Sequence, residues 1–94
     1  MRVLILGSGG REHAIGWKVA TSSLLEALFF GPGNAGTSEI GHNVDLNPMD
    51  FPAVEDFVRE NAINMVVVGP EAPLAGGIVD HFQKAKGLES VAVI

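Results

Sequence analysis

The chain opens on Arg2-Val3-Leu4-Ile5-Leu6, breaks into Gly7-Ser8-Gly9-Gly10, and continues as Arg11-Glu12-His13-Ala14-Ile15-Gly16-Trp17-Lys18 with helical spacing. A continuous apolar run of this length predicts a strand buried on both faces, as in a parallel sheet. Three glycines in four residues allow a turn whose backbone N–H groups face outward with no Cβ in the way. The following helix points its positive dipole end at that turn. Strand, glycine turn and helix N-terminus together make a site for an anion, most often a phosphate. The plainer alternative is a tight connection and nothing more. The position favours the ligand site, because open α/β sheets bind ligands at the carboxyl ends of their strands.

The same sequence of events recurs twice. Leu24 to Phe30 contains a second predicted strand, strongest at Leu28-Phe29-Phe30, which breaks at Gly31-Pro32-Gly33-Asn34-Ala35-Gly36. Ile63 to Val68 predicts another strand and stops at Gly69-Pro70-Glu71-Ala72-Pro73-Leu74. Between them lie a short predicted strand within Asn43 to Leu46 and a helix over about 51–61. The helix is capped by Asp50 or Asn47 and has Val54, Phe57, Val58 and Ala62 as its apolar stripe. Leu74, Ile78 and Phe82 repeat every four residues and predict one helix to about Lys86, with Gly87 as its C′ residue. Ser90 to Ile94 reads as a last strand. The first helix is expected over about 11–20, with Ala14, Ile15, Lys18 and Val19 following its spacing.

Alternation of strand and helix predicts a parallel sheet with right-handed crossovers. All three glycine or proline loops then fall on one rim, and their convergence argues for a ligand site more strongly than any one loop. The candidate residues are Gly9, Gly10, Arg11, Glu12 and His13 in the first loop, Pro32, Gly33 and Asn34 in the second, and Gly69, Pro70 and Glu71 in the third.

Composition narrows the ligand. The 94 residues carry a net charge of −5, with six Lys and Arg in all and none between Val19 and Val58. A nucleic-acid binder needs a basic stripe to neutralise phosphates, so that class is set aside. No apolar run approaches the length that spans a membrane. With no cysteine, thiol chemistry is excluded and the cytoplasm is the expected compartment. A dinucleotide fingerprint would need a third glycine where Glu12 stands and a carboxylate at the end of the second strand. A P-loop would need Gly-Lys followed by Ser or Thr. Both patterns are missing. His13, His42 and His81 are spread along the chain without metal-ligand spacing, so no metal site is expected. His13 is the one histidine placed beside the anion turn.

Gly7-Ser8-Gly9-Gly10-Arg11-Glu12-His13-Ala14, with Trp17-Lys18 after it, resembles the opening signature of the phosphoribosylamine–glycine ligase family. Pro32-Gly33-Asn34-Ala35-Gly36-Thr37 and Val68-Gly69-Pro70-Glu71-Ala72-Pro73-Leu74 resemble that family's next two motifs, in order. The final Leu88 to Ile94 departs from the family pattern, in which the strand runs into a Phe-Gly-Pro-like turn. The resemblance implies a Rossmann-like (pre-ATP-grasp) α/β fold, an open parallel sheet with helices on both faces. It implies that residues 1–94 are the N-terminal substrate-binding domain of a longer ligase, with ATP-grasp and C-terminal domains elsewhere. That ligase would join glycine to 5-phosphoribosylamine with ATP, through an acyl phosphate of glycine. ATP and Mg2+ (or Mn2+) would bind outside this segment, and these residues alone would be inactive. The turn at Gly9, Gly10 and Arg11 would hold the sugar 5′-phosphate, and Asn34 and Glu71 would orient the ribose and its amine. The competing expectation is a free-standing Rossmann-like module that binds a phosphate or nucleotide without catalysis.

Overall fold

A computed structural model describes residues 1–94. Its centre is a five-stranded, all-parallel sheet in the order β3-β2-β1-β4-β5. The strands are β1 (Arg2–Gly7), β2 (Ala27–Pro32), β3 (His42–Asn43), β4 (Met65–Val68) and β5 (Ala92–Val93). The helices are α1 (Gly10–Val19), α2 (Phe51–Glu60), α3 (Glu71–Ala75) and α4 (Ile78–Lys84), with a 3₁₀ turn at Thr37–Glu39.

Period-two alternation sorts the central strands between two apolar layers. Leu4, Leu6, Val66 and Val68 pack with Val54 and Val58 of α2 and Ile78 and Phe82 of α4. Val3, Ile5, Leu28 and Phe30 pack on the opposite face with Ile15 and Val19 of α1. Helices therefore cover both faces, as the resemblance implies. β1, buried from both sides, is the continuous apolar run that opens the sequence.

Four elements differ from the sequence reading, the plainest being the last strand, expected over Ser90 to Ile94 and observed only at Ala92–Val93. The helix expected from Leu74 to Lys86 is two helices, because Gly77 takes a left-handed φ of 95°. Ile78 and Phe82 keep their places in the core, but Leu74 is exposed. The third strand is only His42–Asn43, so Val44 to Leu46 lies beyond it, and Leu46 still joins the core. The buried residues of α1 are Glu12 and Gly16, whereas Ala14 and Lys18 face solvent. A carboxylate and a glycine carry no apolar signal, so their inward direction is invisible to a search for hydrophobic spacing. Asp50 caps α2 as expected, its Oδ1 accepting from the Ala53 amide at 3.2 Å.

Chain order makes the space between β1 and β4 special. The chain leaves β1 into α1 on one face and leaves β4 toward α4 on the other. This reversal makes the carboxyl ends of β1 and β4 the switch point at which open α/β sheets bind their ligands.

Candidate functional site

The three loops at the carboxyl ends of β1, β2 and β4 are tied to one another by hydrogen bonds. The Gly33 amide donates to the Gly7 carbonyl at 3.0 Å. Asn34 Nδ2 donates to the Ser8 carbonyl at 2.8 Å, joining the second loop to the first. The Arg11 guanidinium donates to the Gly69 carbonyl, joining the first loop to the third. The Gly69 amide in turn donates to Leu6 O at 3.1 Å. The expected convergence of loops is thus a laced rim.

At the centre of the rim is the N-terminus of α1. Gly9 is its N-cap, extended at φ −97° and ψ −179°, with no side-chain cap. The first intrahelical bond here runs from the His13 amide to Gly9 O at 3.1 Å. Helix geometry leaves the amides of Gly10, Arg11 and Glu12 without intrahelical partners. Ser8, Gly9, Gly10 and Arg11 are all exposed. A Cβ built on Gly10 would meet nothing within 4 Å, so the space above the turn is open. Free amides, the helix dipole and an adjacent guanidinium together suit a small anion.

Glu12 behaves differently from its neighbours. It is only 5% exposed and turns inward between the ends of β1 and β4. A Cβ on Gly7 would lie 2.6 Å from Glu12 Cγ, and one on Gly69 would fall on the same side chain. Gly7 and Gly69 therefore lack side chains because Glu12 fills the space, and Gly7 also sits at φ 128°. In a dinucleotide fingerprint the third glycine lets helix and strand approach closely. Here Glu12 occupies that position, and the strand glycines on either side make room for it.

His13 is half-buried against the second loop, with Nε2 3.4 Å from where a Gly36 Cβ would be. Pro32 ends β2, exposed, after a cis Gly31–Pro32 peptide bond. Pro70 is the N-cap of α3 and Glu71 its exposed first residue. Asn34 spends much of its side chain on the protein. Besides the bond to Ser8, its Oδ1 accepts from the Thr37 amide at 2.9 Å. Thr37 and Asn43, to which the sequence reading gave no role, both belong to this network. The available signal was the spacing of Asn34 and Thr37, three residues apart in an Asx-type turn. The carboxyls held below their ordinary range are Glu26, beside the N-terminal ammonium, Glu55, beside Arg59 and His81, and Glu89, bonded by backbone amides. None of them belongs to the three loops. No group of three or more His, Asp or Glu side chains in this structure is placed to hold a metal ion.

A phosphate-type turn, a laced rim and an inward glutamate narrow the field, and comparison with known proteins decides among its members. Residues 1–93 match the family described as "Phosphoribosylglycinamide synthetase, N domain". This chain belongs to that family. Two similar proteins are the phosphoribosylamine–glycine ligases of Rhodopirellula baltica and Escherichia coli K12. The first is 56% identical over 83 residues, 88% of this chain and 19% of that protein. The second is 49% identical over 87 residues, 90% of this chain and 20% of that protein. The crystal structure of phosphoribosylamine–glycine ligase from Thermotoga maritima is also similar, at a TM-score of 0.58 and 31% identity. That match covers 93% of this chain and 18% of that one. The synthetase N-domain chain thus spans about a fifth of the length of these relatives.

Proposed function

We propose that this N domain binds the sugar phosphate for a ligase that joins glycine to 5-phosphoribosylamine, forming glycinamide ribonucleotide in purine biosynthesis. The supporting observation is the accessible N-terminus of α1, held at the carboxyl ends of β1 and β4 by bonds to both flanking loops. The amides of Gly9 to Glu12 would receive the 5′-phosphate and Arg11 would add positive charge. His13, Pro32 and Gly33 would wall the sugar. Glu71, with what Asn34 has left to offer, would accept hydrogen bonds from the ribose or its amine. Gly69 and Pro70 would place Glu71. The chain's own part is to bind and orient. ATP, with Mg2+ or Mn2+, would be held by an ATP-grasp domain outside residues 1–94 and would supply activation of the glycine carboxylate. The working compartment would be the cytoplasm. No helix here is long and apolar enough to cross a membrane.

The test is a chimera in which this chain replaces the matching segment of the Rhodopirellula enzyme. Ligase activity in the chimera is the expected result, and these 94 residues alone are expected to be inactive. Chimera inactivity beside an active parent would favour a non-catalytic module. Within the chimera, Gly10→Asp separates anion binding from folding. The new side chain enters open space, and an acid in the first helical turn favours the helix. Its charge would repel the phosphate. The apparent KM for phosphoribosylamine is expected to rise by about tenfold or more, equivalent to roughly 1.4 kcal/mol, with the melting temperature unchanged. An unchanged KM would remove the phosphate from this turn.

A further inference from the structure

The second loop contains a closed ring of hydrogen bonds around one buried hydroxyl. Thr37 is fully buried, an unusual place for a hydroxyl. Its Oγ1 accepts from the Asn34 amide at 2.7 Å. Asn43 Nδ2 donates to Asn34 O at 2.7 Å. The single hydroxyl proton of Thr37 faces Asn43 Oδ1 at 2.7 Å and Asn34 O at 2.9 Å. Because Asn34 O already accepts from Asn43 Nδ2 and from the Ser38 amide, the proton serves Asn43 Oδ1. Each of the three residues thus gives one hydrogen bond to the next and takes one from the last. Because the Thr37 amide must meet an oxygen, it also fixes which way the Asn34 amide lies, leaving Nδ2 directed at Ser8 O. Gly33, at φ 75°, lies against the ring. A Cβ there would meet Thr37 Oγ1 at 2.7 Å and fall on Asn43 Oδ1.

The ring reaches the anion turn through one peptide unit. In a trans peptide the C=O and the following N–H point in opposite directions. Holding Ser8 O toward Asn34 therefore sets the direction of the Gly9 N–H. We propose that Thr37 and Asn43 are positioning residues, whose hydrogen-bonded ring with Asn34 orients the Ser8–Gly9 peptide for anion binding. This role rests on the phosphate-binding function proposed above. Neither side chain touches the anion.

Thr37→Val keeps the shape and removes the hydroxyl, Thr37→Ser keeps the hydroxyl, and Asn43→Ala opens the ring from the exposed edge strand. The measurement is calorimetric affinity of this chain for ribose 5-phosphate, with the Gly9 amide resonance recorded in each free protein. Thr37→Val is expected to weaken binding by about tenfold and to shift the Gly9 resonance. Asn43→Ala should do the same to a smaller degree, and Thr37→Ser should restore both readouts to within about twofold of the parent. Val and Ala variants that melt lower yet bind as tightly as the parent would leave the ring a purely structural element and overturn the proposal. Failure of the parent itself to bind ribose 5-phosphate would instead overturn the site on which the role depends.

Discussion

Gly69→Ala is expected to destabilise the domain by about 3 kcal/mol, the upper end of the usual cost of overpacking a core. The new methyl would fall on Glu12 Oε1, with Cδ at 2.5 Å and Cγ at 2.6 Å. Glu12 is buried, and the overlap reaches its Cγ as well as its carboxylate, so turning the chain end alone does not relieve it. For a domain of this size that loss lowers the melting temperature by on the order of 15 °C. Glu12→Ala removes the obstructing side chain. In the double variant the two methyl groups share space that one carboxylate had filled. The cycle should therefore show a favourable coupling of about 2 kcal/mol, within the range found for residues in contact. Thermal or denaturant unfolding of the four proteins reads it directly. Strict additivity would mean that Glu12 is not what keeps Gly69 bare.

For Gly16→Ala, helix propensity and packing give opposite signs. Propensity alone credits the alanine with about 1 kcal/mol. The structure puts the new Cβ on the ring of Phe30, 2.6 Å from Cε1, and that ring is fully buried in the layer beneath α1. A rigid, enclosed ring cannot yield as a flexible chain end can. Packing should win, for a net loss of about 2 kcal/mol and a melting temperature lower by on the order of 10 °C. Phe30→Leu in the same chain should recover part of that loss by shortening the obstructing group. A stabilised Gly16→Ala protein would mean that α1 rides higher on the sheet, clear of the Phe30 ring.

These two glycines show where the sequence was legible and where it was not. Apolar runs at β1, β2 and β4 are strong signals because central parallel strands are buried on both faces, and each run ended in a glycine or proline that marked the rim. Asp50 and the stripe of α2 were readable for a similar reason, since capping and amphipathic spacing are local. The inward face of α1 was not. Glu12 points to the sheet because Gly7 and Gly69 leave room for it, and Gly16 because the Phe30 ring leaves room for nothing larger, and both are properties of the neighbouring strands in three dimensions. Likewise, spacing every four residues across Leu74, Ile78 and Phe82 survives a break in the helix, so periodicity could not reveal the interruption at Gly77. Within the site, the loops and their glycines were visible as motifs. The lacing was not, because Asn34 to Ser8 and Arg11 to Gly69 cross 26 and 58 residues of chain.

Everything proposed for function depends on where a phosphate ester lands. Backbone amide resonances of this chain, followed during titration with ribose 5-phosphate and with ribose alone, locate it. Saturable shifts are expected at Gly9, Gly10 and Arg11 with the phosphorylated sugar, and none there with ribose. Shifts confined to other parts of the chain, with those three amides unmoved at saturation, would contradict this placement.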